Sequence, residues 1–331
     1  MRFINKKFML FMTNVFLLAG IGSTIANYST SVIQGDATYT DLIISEYYES
    51  DGGTNKAFEI YNGTGSTVDL ANYSIVTYIN GRNYPDKFLN LTGNLLNSST
   101  RTIYNGSTSR VQFTGITIQD NNIANFNGDD VISIYNNGGT PLSGTLGVSG
   151  TVNSDMADET LIDIIGVIGQ DGNNSPTNDA FLFTSANNSV TSGSTKDRIL
   201  VRNRSTTSPN TIFTGSEWMA FPVVTSSSVG LLQPDSKTSS FGSHSSSTFD
   251  LIYAENYAYL FLNGTANKAA NCTDASLNWT SSLETNFNLL TANEKSAFTN
   301  NTNNSTNITN ALARYNYLRT YTPSLSNFAG I

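Results

Sequence analysis

The 331-residue chain has one cysteine and one histidine. The solitary Cys272 excludes an intrachain disulfide, so the folded chain relies on its packed core, and a lone thiol reads as a small core residue. With His244 alone, a histidine-cluster metal site is excluded and any Ser–His–Asp arrangement has a single candidate base. Its setting, FGSHSSS, is turn-like and points to a structural role. Neither Cys-x-x-Cys nor Gly-x-x-x-x-Gly-Lys occurs, and the glycines fall at hairpin turns. Charge is scarce at 13% of residues, and what there is sums to −8. With a pI near 4.6, the chain is repelled by phosphate backbones and anionic membranes unless a local basic patch overrides the balance. Beyond the amino terminus no stretch is apolar enough to span a bilayer, so no transmembrane domain is expected once that segment is removed.

In place of charge the chain carries Ser, Thr, Asn and Gly, the composition of a polar β surface. Hydrophobic residues at 38%, with 18 Phe and 16 Tyr, suffice for a sizeable core. The amino terminus reads as a secretory signal peptide over residues 1–26. Arg2, Lys6 and Lys7 form its basic region, residues 8–21 (FMLFMTNVFLLAGI) its apolar region, and Ala26 the small residue at the cleavage point. Retention as an anchor helix is the alternative, but the run falls short of the ~20 residues a span needs. Residues 27–37 follow as a leader. The expectation is a secreted, extracellular protein, with surface association as the alternative to free release. Asn-x-Ser/Thr sites, for example Asn72, Asn90, Asn263 and Asn307, would be glycosylated on a eukaryotic secretory route. Richness in Asn, Ile and Tyr instead fits an AT-rich bacterial genome.

Residues 41–70 (DLIISEYYESDGGTNKAFEIYNGTGSTVDL) spell a hairpin. Leu42, Ile43 and Ile44 open one strand, Asp51-Gly52-Gly53 supplies the turn, and Phe58, Ile60 and Tyr61 lie in the second. Further strands are expected over 73–78, 87–91, 101–104, 111–116, 131–135, 161–168, 199–201 and 223–229. Short strands between Gly/Asn/Pro turns suit a sandwich.

Four stretches together resemble the lamin-tail domain family. They are ISEY…NKAFEIYN…VDLANY in the hairpin region, Phe126-Asn127-Gly128-Asp129-Asp130 leading to Tyr135, Leu161-Ile162-Asp163 through Gly166 to Gly169, and Glu217-Trp218…Pro222 closing on Phe241-Gly242-Ser243-His244. The resemblance implies an Ig-like β-sandwich over 38–246, of the type found in nuclear lamins and in many exported bacterial proteins. Phe241 stands where the family has leucine. Residues 140–160 read as an insertion.

Past residue 246 the period changes. Residues 250–262, 275–290 and 308–321 place apolar residues every three to four positions, with Trp279, Leu312 and Tyr315 among them. Thr291-Ala292-Asn293-Glu294 is a capping box. A small α-helical domain over 250–331 is expected, resembling the tails that follow lamin-tail domains in exported bacterial proteins.

Three groups of residues are candidates for binding. Asp155, Asp158 and Glu159 cluster in the insertion and are the best candidates for Ca²⁺, a cation that wants several oxygen ligands. Asp129 with Asp130, and Asp171, Asn173 and Asp179, read as solvated turn residues. In KDRILVRNR, strand alternation puts Arg198, Arg202 and Arg204 on one face, either as a polyanion site or as the guard of an edge strand. Tyr47, Tyr48, Tyr61, Tyr73, Tyr78, Tyr84 and Tyr104 concentrate in the first half, as core or as a glycan- or protein-contacting display. No catalytic constellation stands out. The chain reads as a non-enzymatic binding or adhesion module with a protein or glycan partner. The alternatives are an accessory nucleic-acid-binding module, since lamin-tail domains often sit beside nucleases, and a calcium-dependent surface module.

Overall fold

The computed structural model describes residues 38–49, 54–106, 113, 115–144, 156, 159–172, 180–184, 193–222, 240–265, 286–301 and 305–319. Residues 1–37, where a signal and leader are expected, lie outside them, as do Cys272 and Trp279.

The described chain is mostly β, in an Ig-like arrangement of two sheets, with helices at its carboxy-terminal end. The strands are β1 (Ile43–Glu49), β2 (Lys56–Asn62), β3 (Val68–Asp69), β4 (Tyr73–Tyr78), β5 (Lys87–Asn90), β6 (Asn94–Leu95) and β7 (Ser99–Tyr104), then β8 (Ile116–Gln119), β9 (Val131–Asn136), β10 (Thr160–Ile165), β11 (Leu182–Phe183), β12 (Gly193–Ser194), β13 (Arg198–Arg202) and β14 (Trp218–Pro222). The larger sheet has the order β14-β13-β1-β2-β7-β8 and the smaller β10-β9-β4-β5. Pairing is antiparallel throughout both, except that β8 runs parallel to β7.

The two sheets close on one core. Ile44, Tyr47, Phe58, Ile60, Ile103, Leu200 and Trp218 from the larger meet Ile75, Ile132, Ile134 and Ile165 from the smaller. Strand β1 is buried along its whole length. Simple alternation is hidden in its sequence for two reasons. A bulge between Ile44 and Glu46 shifts its phase, and both of its faces are covered. The glycine of the 161–169 stretch is explained by packing: Gly166 has φ +94°, and an added Cβ would meet the Phe181 ring at 2.7 Å.

Most expected strands appear within a residue or two of their places. Of the strand expected over 111–116, residues 111, 112 and 114 lie outside the described set, and a strand is described at Ile116–Gln119. Residues 223–229 lie outside the described set, and the closing strand is Trp218–Pro222.

The helices are α1 (Ser246–Thr265), α2 (Ala292–Asn300) and α3 (Thr306–Arg319), and residues 286–289 are also helical. The capping box at Thr291 and Glu294 is formed. Tyr257, Phe261, Phe287, Phe298, Ile308 and Tyr315 make their shared core. A division at 246–250 does not match the packing. The first turns of α1 put Phe249 and Ile252 on the outer face of the larger sheet, against Ile199, Val201, Met219 and Phe221. The rest of the same helix seats α2 and α3, and residues 37–331 form one compact unit. The junction is also polar: Arg204 pairs with Glu294 and lies over the Tyr253 ring, while Tyr253 donates to Asn203 at 2.9 Å.

Candidate functional site

The expected basic face is absent. In β13 the residues that share a face with Arg198 and Arg202 include Leu200, which belongs to the inter-sheet core. Ile199 and Val201 face the other way, under α1. Alternation holds, but the side expected to be wet is the interior, because a helix covers the side expected to be core. Nor is β13 an edge strand, since β14 lies outside it. Arg204 lies past the end of the strand, in its ion pair with Glu294.

Arg202, 1% exposed, is instead the centre of a buried network. Its guanidinium pairs with Asp163 at 3.2 Å and Glu217 at 2.9 Å and lies over the Trp218 ring, 4.7 Å from the centroid. Asp163, fully buried on β10, accepts from the Ile44 amide at 2.7 Å and the Asn210 amide at 3.0 Å. Ile44 stands at the β1 bulge and Asp163 at a bulge in β10, so two irregularities meet and one carboxylate ties the sheets together. Burial pushes the Asp163 carboxyl above its usual range, and Arg202 and the two amides oppose the shift. The network uses its charge internally and offers none to a ligand.

The other acidic candidates form no site among the described residues. Asp155, Asp158, Asn173 and Asp179 lie outside the described residues, while Glu159 is half-buried and its amide donates to the Met156 carbonyl. Asp171 is exposed in its loop. Among the described residues no three His, Cys, Asp or Glu come together as a metal site. Asp129 and Asp130 are buried rather than solvated. Asp130 caps a turn, accepting from the amides of Asn80 and Asn127 at 2.9 and 2.7 Å.

His244 sits in an aromatic cage, its ring centroid 4.8 Å from Tyr61 and 4.7 Å from Phe249. Burial, with Arg202 nearby, drives its pKa from the ordinary 6.5 to about 3. It is neutral and structural. The tyrosines are chiefly core. Tyr47, Tyr48, Tyr61, Tyr73 and Tyr78 are buried, Tyr78 sharing a 2.8 Å bond with Tyr135. Of the seven, Tyr84 and Tyr104 are half-buried.

Two features escape a reading of single motifs. One is a pair of buried glutamates, Glu46 and Glu59, opposite each other on β1 and β2. The signal was available in the hairpin register of ISEYYE against KAFEIY. The other is the edge strand β8. The four ends of the two main sheets, leaving aside the two-stranded pairs β11-β12 and β3-β6, differ in exposure: β14 is buried over Trp218–Phe221, β5 is half-buried, and β10 is exposed only at Thr160. In β8 three of four residues are exposed, and Ile116 shows 52% of its surface. An edge strand presents alternate backbone N–H and C=O groups outward, and an extended chain can pair with them. The Asn90 side chain, by contrast, ties β5 to the Leu142 backbone through two 2.9 Å bonds.

Residues 36–195 match the family described as Lamin Tail Domain. The match ends before β13 and β14, the two strands that complete the larger sheet. No curated protein and no solved structure matches the chain. No helix among the described residues is long and apolar enough to cross a membrane.

Proposed function

We propose that this is an exported, non-enzymatic bacterial binding protein whose lamin-tail body holds a protein partner by accepting an extended peptide segment at the β8 edge. The exposure of β8, against three sheet ends that are buried or tied down, is the observation that carries the reading. Backbone pairing would supply affinity, and the exposed Ile116 side chain with its neighbours would supply preference among sequences. Export rests on the basic and apolar amino-terminal segment.

The other readings have less to stand on. A polyanion site requires an exposed basic face, and Arg202 lies in the interior with its charge matched. Catalysis requires groups that meet a substrate, whereas His244, Asp163, Glu217 and Asp130 are all engaged in holding the fold.

The test is selection of a random twelve-residue peptide display library on the full mature chain. Selected peptides are measured by titration calorimetry against the native protein and against Ile116→Lys and Gln119→Lys. Lysine on an exposed edge opposes strand addition without disturbing the core. Binders that weaken about tenfold or more on either substitution, and on N-methylation of alternate peptide amides, support the proposal. No selectable peptide, or binders indifferent to both changes, overturns it.

A further inference from the structure

Glu46 and Glu59 occupy directly opposed positions on β1 and β2, 3% and 0% exposed. They share the outer face of the larger sheet with Tyr48 and Ala57. Carboxyl-bearing side chains in such a cross-strand pair lie within ~5.5 Å at Cβ. The segment leading into α1 covers them. The Ser240 hydroxyl donates to Glu46 and the Gly242 amide to Glu59. Within the sheet, Ser45 donates to Glu59 at 2.7 Å and Thr102 at 3.4 Å.

Among the described residues the surroundings contain no compensating cation. Strand β7 contributes the Thr100 and Thr102 hydroxyls, β13 contributes Val201 opposite Glu46, and β14 contributes Met219 to the same apolar layer. The covering segment brings Ser240, Phe241 and Gly242 together with His244, which is neutral, and α1 brings Phe249 and Ile252. Among the described residues no lysine or arginine pairs with either carboxyl; Arg202 points to the opposite face and is committed to Asp163 and Glu217. Two ionised carboxylates at this spacing, desolvated and uncompensated, cannot both persist.

We propose that the Glu46–Glu59 pair is a proton-operated latch: while the pair keeps a proton, the 240–244 segment and the start of α1 stay closed on the sheet, and loss of that last proton releases them. Release uncovers the apolar layer of Tyr48, Ile199, Val201, Met219 and Phe221. Burial followed by repulsion from Glu59 pushes Glu46 well up, and burial moves Glu59 from 4.5 to about 7. Folded values above the unfolded one mean that the stabilisation is complete below about pH 4.5 and is lost as pH rises through and beyond 7. The latch is closed in mild acid and opens as pH rises through neutrality.

Hydrogen exchange of the full mature chain between pH 5 and pH 9, corrected for the intrinsic pH dependence of amide exchange, tests this. Amides of residues 240–249 are expected to lose protection by about tenfold or more between pH 6 and pH 9, while those of β9 do not. In Glu46→Gln/Glu59→Gln the loss disappears. If the double variant does not fold, Glu46→Gln alone serves, because with the repulsive neighbour gone Glu59 ionises at less cost and the loss of protection between pH 6 and pH 9 shrinks. Protection of 240–249 that is unchanged to pH 9 in the native chain overturns the proposal. So does a loss of the same size in the glutamine variants.

Discussion

Replacing Asp163 with alanine separates a sheet-bridging carboxylate from an incidental one. The side chain accepts three bonds, from the Ile44 and Asn210 amides and from Arg202, in a site where both charged partners are at most 1% exposed. Alanine leaves two backbone N–H groups unsatisfied and Arg202 with only Glu217. Breaking one side of a buried pair in this way costs about 3–5 kcal/mol. At ~2–4 °C per kcal/mol for a domain of this size, the melting temperature should fall by roughly 6–20 °C. Asp163→Asn keeps an acceptor and loses the charge, so its loss should be smaller. In a cycle with Arg202→Met, the double variant should be less destabilised than the sum of the singles by about 1–3 kcal/mol, because each single variant strands the other's partner. Thermal and urea unfolding followed by circular dichroism read these values. A cost below about 1 kcal/mol for Asp163→Ala, or additive singles, refutes the idea that this network holds the two sheets together.

Further outcomes follow from the same packing. Phe249→Ala, at the contact between α1 and the sheet, should cost about 3–5 kcal/mol while leaving one cooperative transition, because α1 belongs to both cores; two separated calorimetric transitions would show that the helices fold on their own. Stability should peak in mild acid, between the ordinary carboxyl value of 4.5 and the ordinary imidazole value of 6.5. His244, lowered to about 3, gives stabilisation that is complete above 6.5 and lost as pH falls, whereas Glu49 and Glu59, raised to about 7, lose theirs as pH rises. His244→Phe should flatten the acid limb of a urea-midpoint profile and leave the alkaline limb in place. Arg198, Arg202 and Arg204 present no common basic face, so a DNA gel-shift titration at low salt should give no retention that depends on Arg204→Ala.

The fold was legible where a local cause decides it. Gly/Asn/Asp turns bounded the strands, the β4 limits Tyr73–Tyr78 coincide with expectation, and the Thr291–Glu294 box predicted the start of α2. The sequence was less informative wherever a partner element decides which side of a strand is wet. Arg198 and Arg202 alternate with Ile199 and Val201 as the pleat requires, yet α1, fifty residues onward, covers the aliphatic side and leaves the arginine side facing the smaller sheet. The same covering hides the Glu46–Glu59 pair, since a glutamate in a strand reads as exposed until something is known to lie over it. The bulges at Ile44/Glu46 and Leu161/Asp163 are a third such case. Asp163 was noticed as a motif residue, but its acceptor role depends on two strands that are 119 residues apart in sequence. Tyrosine content, for its part, signalled core more than display, because Tyr48 and Tyr61 lie on an outer face that other chain segments cover.

The most direct measurement is a backbone amide chemical-shift map of the full mature chain titrated with a peptide selected on it. If the body works by holding an extended segment at its open edge, the largest shifts fall on Ile116–Gln119 and the adjoining β7 residues, with strand-type contacts to the peptide. Shifts centred elsewhere, with β8 unchanged at saturation, would contradict the account.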